Sequence, residues 1–216
     1  MRLSFHPLVF CFSAVCLLLS GCVSTKHSAP LGGCLTHFKA GEKLLMAEVP
    51  GITAHESSGL YKKLEKAARE AGLQPAYAAE QEMDLRLYQV RPNADTASLA
   101  ALQKLGYTYY LRVHIEGLTA TQSYAHTSAE EKKDIYPATP PAYQKEEDVS
   151  KAILTFQLYT TDERRLIYTL VTQTEMRSLI LPEKDGGDHA VNFSDKAMAT
   201  QKAMSKGVAK LFSNCQ

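Results

Sequence analysis

A chain of 216 residues with 45% apolar residues has the material for one core of ordinary size. Its formal net charge of +1 leaves no basic excess to draw nucleic acid or an anionic surface. Trp is absent, and eleven Tyr are left to take the amphipathic aromatic roles.

Arg2 supplies a positive charge, and an apolar run from Leu8 to Leu19 follows it. Leu19, Ser20 and Gly21 then lead directly into Cys22. That order is the pattern of a secretory signal peptide. An uncut membrane span needs about 20 apolar residues; this run is shorter, contains Ser13, and meets no basic residue before Lys26. Leu19 to Cys22 resembles the lipobox of bacterial lipoproteins. The resemblance implies cleavage before Cys22, acylation of that cysteine and export to the cell envelope. Val23 follows it where enteric inner-membrane lipoproteins carry Asp, so the resemblance points to the outer membrane. The expected organisation is a signal peptide over 1–21, a lipidated tether over 22–40, and one domain over 41–216.

Cys11 and Cys16 leave with the signal peptide and Cys22 is committed to lipid, so Cys34 and Cys215 remain. Two spare thiols in an oxidising compartment pair, and closing so long a loop is worth roughly 4 to 5 kcal/mol in the chain-entropy model. The competing reading is a reactive Cys34 beside His37; Cys-x-x-His is half a zinc site and lacks a second ligand pair.

Along the domain, Lys43 to Val49 reads as a buried strand closed by Pro50 and Gly51. Ser57 or Ser58 caps a helix with Leu60, Tyr61, Leu64, Ala67, Ala68 and Ala71 on one face and Gly72 at its stop. Leu73 to Tyr77 is a short edge strand, given Pro75. Met83, Leu85 and Leu87 alternate with Asp84, Arg86 and Tyr88, which predicts a strand over Met83 to Val90. Asn93 or Asp95 opens a second helix carrying Leu99, Leu102 and Leu105, ended by Gly106. From Tyr107 to Gly117 the alternation is clean: Tyr109, Leu111, Val113 and Ile115 point one way, Tyr110, Arg112, His114 and Glu116 the other.

Residues 119–151 hold Pro137, Pro140, Pro141 and two charged runs, and read as an exposed arm. Ala152 to Tyr159 and Arg165 to Met176 form a hairpin. Leu181 to Val191 reads as a second loop. Ser194 caps a last helix with Ala197, Met204, Val208, Leu211 and Phe212 on one face. The fold class expected is α/β (α+β): a single domain with a mixed sheet and about three helices packed on it.

Two segments resemble a group of envelope lipoproteins that includes the curli channel CsgG, the synthase activator LpoB and the N-terminal domain of TolB. The first is Leu102 to Ile115, a helix end, Leu-Gly and an apolar strand. The second is Leu154 to Tyr168, a hairpin around the Asp162 turn. The resemblance implies the group's fold and a lipid-anchored domain that binds another envelope component. Residues 119–151 are too charged and Pro-rich for the channel's membrane hairpins.

No Gly-x-Ser-x-Gly elbow, Walker loop, His-Glu-x-x-His or Ser-x-x-Lys set is present. His114 sits on a polar strand face, where a hydrogen-bonded imidazole is the ordinary explanation. Glu183, Asp185, Asp188 and His189 surround two glycines and could collect a cation, but Gly-Gly between acids is first a turn. Asn192-Phe193-Ser194 matches a glycosylation acceptor that a bacterial lipoprotein does not use. In the arm, Tyr124, Tyr136 and Tyr143 are amphipathic aromatics among charges, a composition shared by recognition surfaces and, as the competing reading, by a plain solvated loop. The expectation is therefore a non-catalytic outer-membrane lipoprotein facing the periplasm, an accessory of assembly, secretion or cell-wall synthesis. It needs no cofactor or metal, and its partners are the membrane through Cys22 and an envelope protein, with no nucleic acid. The alternatives are an envelope-polymer hydrolase with an unrecognised site, or a small-ligand-binding lipoprotein. Oligomeric state stays open.

Overall fold

The fold is that of a computed structural model, which describes residues 23–30, 33, 34, 36–120, 123–127, 130, 149–177, 179–182, 184, 186, 188–192 and 195–215. They divide into two compact units. The larger is drawn from Thr25–Leu118, Lys151–Thr174 and Lys196–Gln216; the smaller from Met1–Ser24, Thr119–Ser150 and Glu175–Asp195.

The larger unit is organised on a mixed sheet of strands β1 (Val23–Ser28), β2 (Lys43–Met46), β3 (Gln74–Tyr77), β4 (Tyr109–Thr119), β6 (Ser150–Thr160) and β7 (Arg165–Met176). Their spatial order is β1-β7-β6-β4-β2-β3. β2 lies between two parallel partners, with Leu45 opposite Ala76 on one side and Tyr110 on the other. Four α-helices are present among the described residues: α1 (Ala54–Glu70), α2 (Glu82–Leu87), α3 (Thr96–Lys104) and α4 (Lys196–Asn214). Parallel neighbours need a crossover connection; α1 supplies the one from β2 to β3.

The period of two along the strands sorts side chains onto two faces. Leu45 and Tyr110 share a face with Leu99 and Leu102 of α3. Leu44, Met46, Tyr109 and Leu111 alternate with them and are buried on the opposite side. There α4 packs on β6 and β7: a Cβ built on Gly207 would overlap the Phe156 ring and come within 3.0 Å of the Thr172 hydroxyl. Asn214 donates to the Tyr168 hydroxyl at 2.6 Å. α1 packs beside α4. Phe38 bridges strand and helix, its ring 5.1 Å from Tyr109 and 5.4 Å from Phe212.

The smaller unit contains a three-stranded antiparallel sheet, β5 (Ser123–Thr127), β9 (Asp188–Asn192) and β8 (Leu179–Pro182), in the order β5-β9-β8. Its register sets His126 opposite His189 and Tyr124 opposite Val191. Leu181 to Val191, read as a loop, is therefore the greater part of a hairpin with Gly186 at φ +93° in its connection. The start of the expected arm is a strand that pairs with that hairpin. β5 and β9 carry little hydrophobic alternation and β8 is only four residues long, so nothing in the sequence marked their pairing.

Three further expectations are corrected. Met83 to Val90 is not a strand but the helix α2 and the turn after it. The alternation misleads because no β-branched residue occurs from Ala78 to Gln89, a stretch of mostly strong helix formers. Residues 23–28 are not tether but strand β1. It is tied to β7 by hydroxyls and imidazole, Thr25 to Thr174 at 3.3 Å and His27 to Thr172 at 3.1 Å, which leave no apolar signature. Neither Ser57 nor Ser58 caps α1: Thr53 does, in a reciprocal box with Glu56. Ser57 is buried one turn on, accepting from the Val49 amide at 2.9 Å and the Tyr77 hydroxyl at 2.7 Å. Asp95 caps α3, accepting from the Ser98 amide at 2.7 Å. Ser194 lies outside the described residues.

Candidate functional site

Strands β2 and β3 are parallel, so their carboxyl ends open on the same edge of the sheet, where α/β proteins place ligand crevices. A cleft of about 220 Å³ lies there. Its floor is apolar: Leu45 and Ala47 from β2 and its end, Ala78 after β3, Leu85 of α2, and Val90 and Pro92 from the loop behind it. Glu48, Glu82, Arg86 and Arg91 form the charged rim, with Arg86 3.7 Å from Glu82.

The loop 89–95 is stapled from three sides. The Arg91 amide donates to the Ser98 hydroxyl at 2.8 Å, the Tyr110 hydroxyl donates to the Pro92 carbonyl at 3.5 Å, and Arg112 donates to the Asn93 carbonyl at 3.3 Å. Gln89 and Ala94 take positive φ, +56° and +54°, the strained backbone that persists where surroundings over-determine it. Burial pushes the Tyr110 phenol up to about 12, so it stays protonated and offers a hydroxyl, not a base.

α2 stands beside this cleft with an unusual surface. Met83 is 85% exposed, Leu87 75% and Tyr88 42%. Met83 and Leu87 are one helical turn apart and so project together. Large apolar side chains clustered in the open mark interaction surfaces. Sequence reasoning missed this patch because it read the segment as a strand, with Met83 and Leu87 on one face and Tyr88 on the other; the run of helix formers from Ala78 was the signal that could have found it.

A smaller cleft, about 120 Å³, lies where the first turns of α1 and α4 converge, with Ile52, Leu60 and Leu118 within and His55, Glu56 and Lys196 at its rim. Glu56 is held below the usual carboxylate range by the Thr53 amide and hydroxyl, so it is already engaged as a cap.

Of the residues singled out in the sequence, Cys34 and Cys215 are joined in a disulfide. That consumes the thiol the alternative reading of Cys34 and His37 required. Cys22, Tyr136 and Tyr143 lie outside the described residues. Tyr124 lies in β5. Glu183 and Asp185 are also outside the described residues, while Asp188 and His189 belong to β9. Among the described residues no three His, Cys, Asp or Glu side chains are grouped to hold a metal ion, and no helix is long and apolar enough to cross a membrane.

No family model matches the sequence, and no curated protein matches it. Among solved structures the chain is similar to the PelC dodecamer of Paraburkholderia phytofirmans, at 11% identity over 88% of this chain and 97% of that one, TM-score 0.44. It is similar to lipoprotein GNA1162 of Neisseria meningitidis at 14% identity, covering 80% of this chain and 99% of that one, TM-score 0.42. TolB of Acinetobacter baumannii matches at 10% identity over 87% of this chain and 31% of its own, TM-score 0.35. Likeness of this degree says nothing of what the chain binds or does.

Among the described residues the fold holds the imidazoles of His114 and His27 below the ordinary 6.5. Burial is the main cause for each; Arg112 adds to it at His114, against a hydrogen bond that the imidazole donates to Gln157 and the charge of Glu116. Lys210 and Lys206 add to it at His27. A depressed histidine leaves the folded state with fewer protons than the unfolded one. Its stability is complete above 6.5 and is lost as pH falls from there toward the folded value. Thermal melts between pH 7.5 and 5.5 are expected to show a falling Tm, and the His27→Asn/His114→Asn double variant to flatten that slope. An equal slope in both proteins would assign the pH dependence to other groups.

Proposed function

We propose that the protein is a lipid-anchored, periplasm-facing accessory of the outer membrane that works by binding another envelope protein, without catalysis. The observation that carries this is the exposed Met83 and Leu87 of α2, with Tyr88 at its end, beside an apolar-floored cleft. Pockets for small ligands run to about 300–1,000 Å³; at 220 Å³ this one suits a single inserted side chain better than a whole metabolite. A partner contributing one apolar anchor to the cleft and a flat apolar contact to α2 would use both features, with Arg86, Arg91, Glu48 and Glu82 as the polar rim.

The Leu19-Ser20-Gly21-Cys22 motif supports the anchor, and Tyr124, Tyr136 and Tyr143 remain proposed contacts of the 119–151 segment. Photo-crosslinkers placed at Met83 and Leu87 in cells are expected to capture one discrete envelope protein. Leu85→Ala and Leu87→Asp are expected to weaken its binding by about tenfold or more, the loss typical of interface anchors. Crosslinkers at Tyr136 and Tyr143 but not at Met83 and Leu87 giving that adduct would move the interface to the segment 119–151. Palmitate incorporation that persists in Cys22→Ser would remove the anchor.

A further inference from the structure

The net charge of the chain conceals how the charge is distributed. α4 carries Lys196, Lys202, Lys206 and Lys210, all exposed, and not one acidic residue. Lys202, Lys206 and Lys210 follow at four-residue intervals, so they stack in one row on the side opposite the buried Met204, Val208 and Leu211. Like charges at that spacing repel, and no acidic side chain pairs with this row among the described residues. On α1, which packs beside α4, Lys62 and Lys66 are exposed at the same spacing, whereas Arg69 is neutralised by Glu65 at 2.7 Å. A row of this kind is relieved of its self-repulsion by an anionic counterpart, and the described residues supply none.

The position of β1 says which counterpart is near. His27 bonds to Thr172 and is within electrostatic reach of Lys206 and Lys210. Cys22 is five residues before His27 and directly precedes β1, so no more than about 17 Å of extended chain separates them. We propose that the Lys202, Lys206 and Lys210 row lies on the anionic headgroups of the lipid surface in which an acylated Cys22 is seated. This rests on the lipid-anchored reading above. With β1 starting immediately after the cysteine, there is no tether to lift the domain clear of that surface. Acyl chains supply retention and the lysines supply orientation. The candidate cleft, on the sheet face opposite α4, is then turned away from the membrane toward a partner.

The test is amine footprinting of the full acylated chain on two vesicle types, phosphatidylcholine alone and phosphatidylethanolamine with 30% phosphatidylglycerol. Acetylation of Lys202, Lys206 and Lys210 is expected to slow by about fivefold on the anionic vesicles, the factor one lysine gains near such a surface. Lys104, on α3 across the sheet, is expected to react alike on both. In Lys202→Glu/Lys206→Glu/Lys210→Glu, protection of the neighbouring Lys62 and Lys66 is expected to be lost. Equal acetylation of the row on both vesicles, with the protein floating on both, overturns the proposal and leaves the anchor standing. Flotation on the anionic vesicles alone, with the row protected, upholds the lysine contact and removes the anchor. Protection by soluble polyphosphate but not by anionic vesicles overturns it in favour of a polymer.

Discussion

Removing the Cys34–Cys215 bridge, as Cys34→Ala/Cys215→Ala, is expected to lower the Tm by about 10 °C or more. The two cysteines are 181 residues apart. In the chain-entropy model, releasing a loop of that length stabilises the unfolded state by about 5 kcal/mol, and native bridges in practice are worth about 2–5. For a chain of this size each kcal/mol moves Tm by about 2–4 °C. The local structure gives the upper part of that range physical support. Cys215 is fully buried at the end of α4, and its carbonyl accepts from the Phe38 amide at 2.9 Å. Phe38 in turn packs between Tyr109 and Phe212, and Thr36 bonds to the Tyr109 hydroxyl at 3.2 Å. The bridge thus seats a segment that closes the core between β4 and α4, and loosening it exposes both rings. Differential scanning calorimetry of the double variant, with the wild type under reductant as a second arm, measures the effect. An unchanged Tm would mean that Phe38 holds the segment without the bridge.

The elements that could be read from the sequence are those whose local pattern and tertiary role coincide. β4 alternates because Leu111 and Val113 enter the core while Arg112 and His114 stay on the polar face. α1 and α3 stop where glycine must take positive φ, +81° at Gly72 and +83° at Gly106. The elements that could not be read are stabilised by partners far along the chain. β1 rests on Thr172 and Thr174, 145 and 149 residues from their partners His27 and Thr25, and an alternation of Thr and His looks like a linker until those partners are placed. Ser57 looks like a cap by type and position, yet its hydroxyl joins β3 to the loop after β2.

The candidate site was less legible than the fold, for the same reason. Its floor gathers Leu45, Ala78, and the pair Val90 and Pro92 from three separate stretches, each unremarkable alone. α2 was hidden by an accidental period of two. The lysine row was hidden by summation, since a net charge of +1 does not reveal that one helix carries four cations and no anion. Periodicity reports which face is buried; it does not report what the exposed face meets.

Gly207→Ala is expected to destabilise the protein by about 1–3 kcal/mol, although alanine is the better helix former. Relieving the glycine in mid-helix would by itself stabilise by about 0.8–1.0 kcal/mol. Against that, the new Cβ would overlap the Phe156 ring, and Phe156 is fully buried. Thr172, 3.0 Å from the same Cβ, blocks a compensating slide of α4 toward β7. Overpacking of a closed core costs about 1–3 kcal/mol and more where the neighbours cannot yield, so sterics outweigh propensity. The pair Gly207→Ala/Phe156→Leu distinguishes this account from simple helix effects. Phe156→Leu alone opens a cavity and is destabilising, but in the double variant the alanine methyl fills part of it. Denaturant midpoints are expected to show the double variant more stable than the sum of the two single losses, a coupling of about 0.5–3 kcal/mol of favourable sign. Strict additivity would mean that Gly207 is constrained by the helix backbone, and that the ring beneath it is free to move.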